Sequence, residues 1–230
     1  MIKKDVFLLL SILAIILLFI LSSKVFSFYL HFNQVHGMIT SFIKFGILAT
    51  FGEMLAQRIR TGNYIPPGFG VFSRFMVWGF LGLTIKLAFV IFATGTPQFL
   101  AYMGIYQATE AMKQPLSLTK LGVAFAISSA MNIIYAPLMM TFHKITDTHI
   151  AQYQGKSNSL LKPIAFSSIL KQMNWDVQWN FVFKKTIPFF WIPAHTITFL
   201  LPADFQVLFA ALLSVALGLI LAFASLKSKN

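Results

Sequence analysis

Cysteine is absent from the chain. Disulfides and thiolate metal sites are therefore excluded as devices of this fold. Acidic residues are scarce too, six against eighteen Lys and Arg, and charged residues together make up only 10% of the 230 positions. A soluble domain carries about 25%, so this chain has too little polar surface to coat a water-soluble globule. No glycine-rich phosphate loop occurs, and no clear pair of catalytic carboxylates. The pattern S-x-x-K appears at 41–44 and 168–171 but without any supporting motif. These absences exclude no single chemistry by themselves, but together they point away from an enzyme. Neither a catalytic residue nor a cofactor is expected.

Apolar residues are abundant, at 57% of the chain, and they come in blocks: 6–21, 38–57, 75–92, 121–142, 187–201 and 205–223. Blocks of this length read as membrane-crossing helices. The expected fold is an all-α integral membrane protein with about five to six transmembrane helices, the last two forming a Pro-kinked hairpin. The first block is bracketed by Lys3, Lys4 and Lys24. It is long for the apolar core of a signal peptide, and a lysine stands where a small-residue cleavage site belongs, so it reads as an anchor helix. This divides the chain into an N-terminal anchor helix and loop, 1–37, and a helical membrane domain, 38–230, with a polar loop at 143–186. Breakers at both ends of 95–115 suggest a short interfacial helix there. Ala136 and Pro137 are expected to interrupt the fourth block.

The net charge of +12 does not gather in one polar segment, as it would for nucleic-acid binding. It flanks the apolar blocks. With six crossings, Lys3, Lys4, Arg58, Arg60, Arg74, Lys144, Lys156, Lys162, Lys171, Lys184, Lys185, Lys227 and Lys229 fall on one side. Only Lys24, Lys113 and Lys120 fall on the other. The excess of basic residues marks the cytoplasmic side, so the N-terminus and the 143–186 loop are expected there, in an inner or cytoplasmic membrane. The expected partners are the lipid bilayer, a small solute and, through helix packing, a second copy of the chain; nucleic acid is not among them.

The stretch 189–209, FFWIPAHTITFLLPADFQVLF, places two prolines and several polar groups inside apolar sequence. Each proline removes a backbone donor, and in lipid the freed carbonyls need other partners. His195, Thr196 and Thr198 stand close enough to supply them. A kinked helix, a turn at 202–204 and a new helix capped by Asp204 follow from this pattern. In the last helix Ala210, Ser214, Gly218 and Ala222 recur at four-residue spacing, a stripe that permits close helix approach.

Trp191, Phe199, Pro202 and the run PADFQVLFAALL resemble the C-terminal signature of the family of the mitochondrial inner-membrane protein Mpv-seventeen and the 22-kDa peroxisomal membrane protein. FGEMLAQRI at 51–59 looks like that family's G-D-x-x-x-Q segment, with Glu53 and Gln57 at its acidic and glutamine positions. GFLGLTIKLAF at 79–89 and MNIIYAP at 131–137 look like two further motifs, in the same order. Leu83, Lys86, Met131, Asn132, His195, Thr198 and Gln206 depart from the family pattern. The lysine-bracketed first helix lies outside the resemblance and suggests a bacterial-like relative. The resemblance implies a small helical membrane protein of channel-like role, with no catalytic residues to carry over.

Glu53 and Lys86 are the sharpest candidates, because an ionisable group inside a membrane helix costs at least ~2.5–3.5 kcal/mol unless it faces a pore or a partner. Lying on consecutive helices, they are expected to pair. Glu53, Gln57, Lys86, Asn132 and His195 form the candidate polar pathway, set against the plainer reading of snorkelling charges and a packed histidine. No metal site is expected; His143, Asp147 and His149 are the weak candidates for one. Two function classes remain open: a channel or small-solute transport protein, and a structural or interaction protein of the membrane.

Overall fold

The structure, a computed structural model, describes residues 2–227. All its regular elements among the described residues are helices: α1 (Ile2–Leu21), α2 (Ser23–Val35), α3 (Gly37–Thr61), α4 (Val71–Tyr102), α5 (Ala108–Ala111), α6 (Leu118–Gln152), a 3-10 turn (Ser157–Leu161), α7 (Phe166–Gln172), α8 (Trp175–Val177), a π-helix (Gln178–Trp191), α9 (Ile192–Leu200) and α10 (Ala203–Lys227). Five of them are long and apolar enough to cross a membrane: α1, α3, α4, α6 and α10. The chain divides into two compact units between Thr40 and Ser41.

The first unit holds α1, α2 and the start of α3, with breaks at Ser22 and at His36. The Ser22 amide still donates to the Leu18 carbonyl (3.1 Å), and its hydroxyl accepts from the Val25 amide as the cap of α2. None of the apolar spanning window of α1 is buried. Phe7, Ile20 and Leu21 are more than 70% exposed, which suits a helix whose neighbours are lipid chains.

In the second unit, α4 and α6 pack along one another, and α9 lies on α6. The core draws on every long element: Phe45 and Ala49 of α3, Ile85 and Phe89 of α4, Ala124 and Ile127 of α6, Phe199 of α9, Val207 and Ala211 of α10. Small residues set the spacing. A Cβ on Gly82 would lie 2.6 Å from the Ser41 carbonyl oxygen, and one on Gly52 would lie 2.9 Å from the Val215 Cα. Both neighbours are backbone, so neither can move aside. At the end of this unit nearest the N-terminus of α4, Gly70 (φ 72°) and Gly155 (φ 68°) press two loops together, a conformation and an approach that only glycine permits.

Two expectations from the breakers are overturned. Helix α4 runs on through Gly95 and Pro97 to Tyr102, and only the four-residue α5 follows where an interfacial helix was expected. Helix α6 passes Pro137 without interruption and continues to Gln152, so the polar loop is shorter than 143–186. A proline inside a helix costs ~3 kcal/mol, and the packing of α6 along α4 and α9 offsets that cost.

The 189–209 stretch winds as a π-helix up to Trp191 and as α9 from Ile192, with Pro193 in its first turn. The Ile192 carbonyl at this junction accepts bonds from Thr196 Oγ1 (2.8 Å) and from Ser128 Oγ of α6 (2.7 Å), while Thr198 Oγ1 donates to the Ala194 carbonyl (3.0 Å). The threonines thus bond locally, but to their own i−4 carbonyls and not to those that the prolines free; the Thr198 carbonyl, four residues before Pro202, accepts from the Leu201 amide instead (3.1 Å). His195 differs: its Nδ1 has no partner, and its ring sits edge-on between Phe89 and Trp191. After Leu201 and Pro202, α10 starts at Ala203, so Asp204 stands inside the first turn rather than at the cap.

Candidate functional site

Glu53, more than halfway along α3, is where three helices meet. Its Oε2 accepts a bond from Arg74 Nη1 of α4 (2.6 Å), and its Oε1 accepts one from Trp78 Nε1, a turn further on (2.9 Å). His143 Nε2 of α6 lies 3.2 Å from the same Oε1, with its ring tilted against the Trp78 indole at 4.3 Å. Arg74 Nη1 also pairs with Asp147 Oδ1, one turn beyond His143. The guanidinium is fixed from behind: Nε donates to the Phe69 carbonyl (2.7 Å), and the cation lies over the Phe69 ring. The spacings explain the convergence. Arg74 and Trp78, like His143 and Asp147, are four residues apart and so share a helix face.

This network forms part of the wall of a cavity of about 380 Å³. Helices α3, α4, α6 and α10 and the π-helix all contribute to it. Gln57 and Arg60 continue the wall along α3, Lys144 along α6, and Gln178, Val182, Thr186 and Trp191 along the π-helix. Trp191 joins the other three on this wall through the π winding. The i→i+5 bonding of a π-helix puts more residues in each turn than an α-helix has, so each residue turns less, which keeps Gln178 and Trp191 on one face. In α geometry Trp191 would point nearly opposite. A smaller inner cavity of about 50 Å³ adjoins the first, sharing Trp78, Met139, Met140, Trp191 and Ser214, and reaches Asn132 and His195.

Four of the five pathway candidates line these spaces: Glu53 and Gln57 the outer cavity, Asn132 and His195 the inner one. Asn132 Nδ2 is turned back to the Ser128 carbonyl (2.8 Å). Lys86 is a correction. It lines neither cavity and does not pair with Glu53. From Trp78, which is level with Glu53, Lys86 lies eight residues on, about 12 Å along the axis. Its charge acts instead on Lys44, a buried lysine of α3 that also feels Asp204.

The packing stripe is also modified. Gly218 does meet the Gly52 backbone, at 3.4 Å from a Cβ placed on it, but Ser214, Gly218 and Ala222 also form cavity wall, and Ala210 lines the inner space. Of the weak metal candidates, His143 and Asp147 face the cavity. His149 turns away to the Ser159 carbonyl (2.9 Å) in a buried knot with Ser73, and no cluster of metal-binding side chains forms among the described residues. Arg74, Trp78, Gln178 and Trp191 were not among the sequence candidates. The four-residue spacing of Arg74 and Trp78 was the signal available for the first two.

The fold and site define a multi-pass helical membrane protein with a polar-mouthed cavity between its spanning helices. Compared with protein-family models, curated proteins and solved structures, the chain matches none.

Proposed function

We propose that this membrane protein admits a small solute to the cavity between α3, α4, α6, the π-helix and α10, as a channel or transport protein. The observation that carries this reading is the placement of Glu53, Arg74, His143 and Asp147 on the wall of one cavity, adjoined by a smaller one that reaches His195. Ionisable groups are retained between membrane helices where they face a partner or a water-filled space, and these pair with one another on a cavity wall. The motif resemblance to the Mpv-seventeen family points the same way. The mouth opens at the end carrying Arg60 and Lys144, which the basic asymmetry assigns to the cytoplasm. The chain re-crosses through the run 178–200. That run starts at Gln178, which lines the same cavity as Glu53, and ends just before Asp204.

A second reading, that of a structural or interaction protein, draws on the same network. Both Glu53 oxygens are occupied by partners from α4 and α6, which is what a clamp between helices requires. Electrical recording and vesicle-swelling measurements on the purified chain in liposomes separate the two. Transport predicts flux above empty vesicles, abolished by Ser214→Phe, which fills the junction of the two cavities. Wild-type protein without conductance or flux would leave the clamp as the better account.

A further inference from the structure

We infer that the cavity is a binding site for an organic anion with an apolar portion, a carboxylate or phosphate head on a hydrocarbon body; this rests on the reading of the cavity as a solute site. Three observations converge. First, the donors in the wall outnumber their partners. Gln178 Nε2 and Trp191 Nε1 are buried without any hydrogen-bond partner, their side chains only 6% and 9% exposed. An indole N–H only donates, and so does an amide nitrogen. A ligand that satisfies them must bring acceptor oxygens, and leaving each donor unpaired costs ~1–3 kcal/mol.

Second, the charge left over is positive. Arg74 bridges both Glu53 and Asp147, and with Arg60 and Lys144 the wall carries three fixed cations against two carboxylates. Arg60 and Lys144 are exposed at the same cavity, and among the described residues neither enters an ion pair. Third, the rest of the wall is greasy: Met139, Met140, Phe181, Val182, Leu217 and Leu221. An inorganic anion would leave these faces without a partner, whereas a hydrocarbon body covers them. The volume of about 380 Å³ falls within the ~300–1,000 Å³ of small-molecule sites. The same head-and-body chemistry occurs in a free fatty-acid-like anion and in an anionic lipid.

The test is equilibrium dialysis of the full chain in maltoside micelles against four probes: octanoate, octanol, octylammonium and dihexanoylphosphatidylglycerol. Each titration is repeated on Arg60→Gln/Lys144→Gln and on Trp191→Phe, so that partition into the micelle cancels in the comparison. Saturable octanoate binding, weakened at least about tenfold by the double substitution and severalfold by Trp191→Phe, with no saturable octanol or octylammonium binding, is the expected result. Saturable binding of the phosphatidylglycerol alone, with the same sensitivity to the variants, also upholds the site and assigns its ligand to lipid. Should Trp191→Phe not fold, Gln178→Leu replaces it. Equal binding of octylammonium, or an anion affinity unmoved by the double substitution, overturns the proposal. Anion-selective binding without flux in liposomes would uphold this site and remove transport; flux without anion selectivity would do the reverse.

Discussion

At Glu53 each carboxylate oxygen is committed to a group on another helix, and the commitment is asymmetric. Arg74 holds two carboxylates at once, Glu53 and Asp147, so its removal exposes them to one another. Arg74→Gln is therefore expected to destabilise the protein more than Glu53→Gln. Each should cost about 1–3 kcal/mol, less than the ~3–5 of a fully buried pair, because the Arg74 and Glu53 side chains keep 12% and 22% of their exposure. The Glu53→Gln/Arg74→Gln double variant should lose less than the two singles together. Lys86→Met, by contrast, should add to Glu53→Gln within ~0.3–0.5 kcal/mol, as independent sites do. A denaturation cycle in detergent measures all of these; coupling to Lys86 as strong as to Arg74 would contradict the network described. At this scale the sequence was legible in part. Glu53 stood out because a lone acid in an apolar run must be explained. Its partner did not, because Arg74 in a sequence looks like any basic residue flanking a membrane helix.

Among the elements, the glycines of the α3 seam act as spacers, and not all glycines do. Gly52 faces the Val215 backbone, whereas Gly122 of α6 has no neighbour within reach of an added Cβ. Gly52→Val should therefore lower the melting temperature sharply, with a loss on the scale of overpacking, ~1–3 kcal/mol. Gly122→Ala should leave it unchanged or raise it, since alanine gains roughly 0.5–1 kcal/mol over glycine in a helix. Similar melting temperatures for the two variants would mean that α3 and α10 are not in backbone contact. Element boundaries show where sequence reasoning ran out. Five of the six apolar blocks located helices long enough to cross a membrane, block 187–201 not among them, but Pro97 was read as a boundary and Pro137 as an interruption. A proline's local cost is visible in sequence, while the packing that outweighs it is not. The π winding of 178–191 has no sequence signal as strong as an apolar block. That is why Gln178 and Trp191 could not be assigned to one wall beforehand.

For the molecule as a whole, the absence of cysteine allows a direct test of orientation, since any introduced thiol is unique. Cysteines at Lys156 and Lys113 should react with an impermeant reagent from opposite faces of sealed vesicles, as expected from the distribution of basic residues. Reaction of both from the same face would remove the assignment of the cavity mouth to the cytoplasm. The lengths of the central helices add a constraint. Helix α6 has 35 residues and α4 has 32, about 52 and 48 Å at 1.5 Å per residue. The hydrocarbon layer of a bilayer is only ~30 Å thick. Tilt absorbs some of the difference, and the remainder stands in the headgroup zone. Arg74 lies in the first turn of α4, and His143 and Asp147 in the last third of α6. The excess length thus lifts the charged cluster out of the middle of the membrane to a depth where water and headgroups share the burden of solvating it, and ions that would be prohibitive at the midplane become tolerable members of a helical wall.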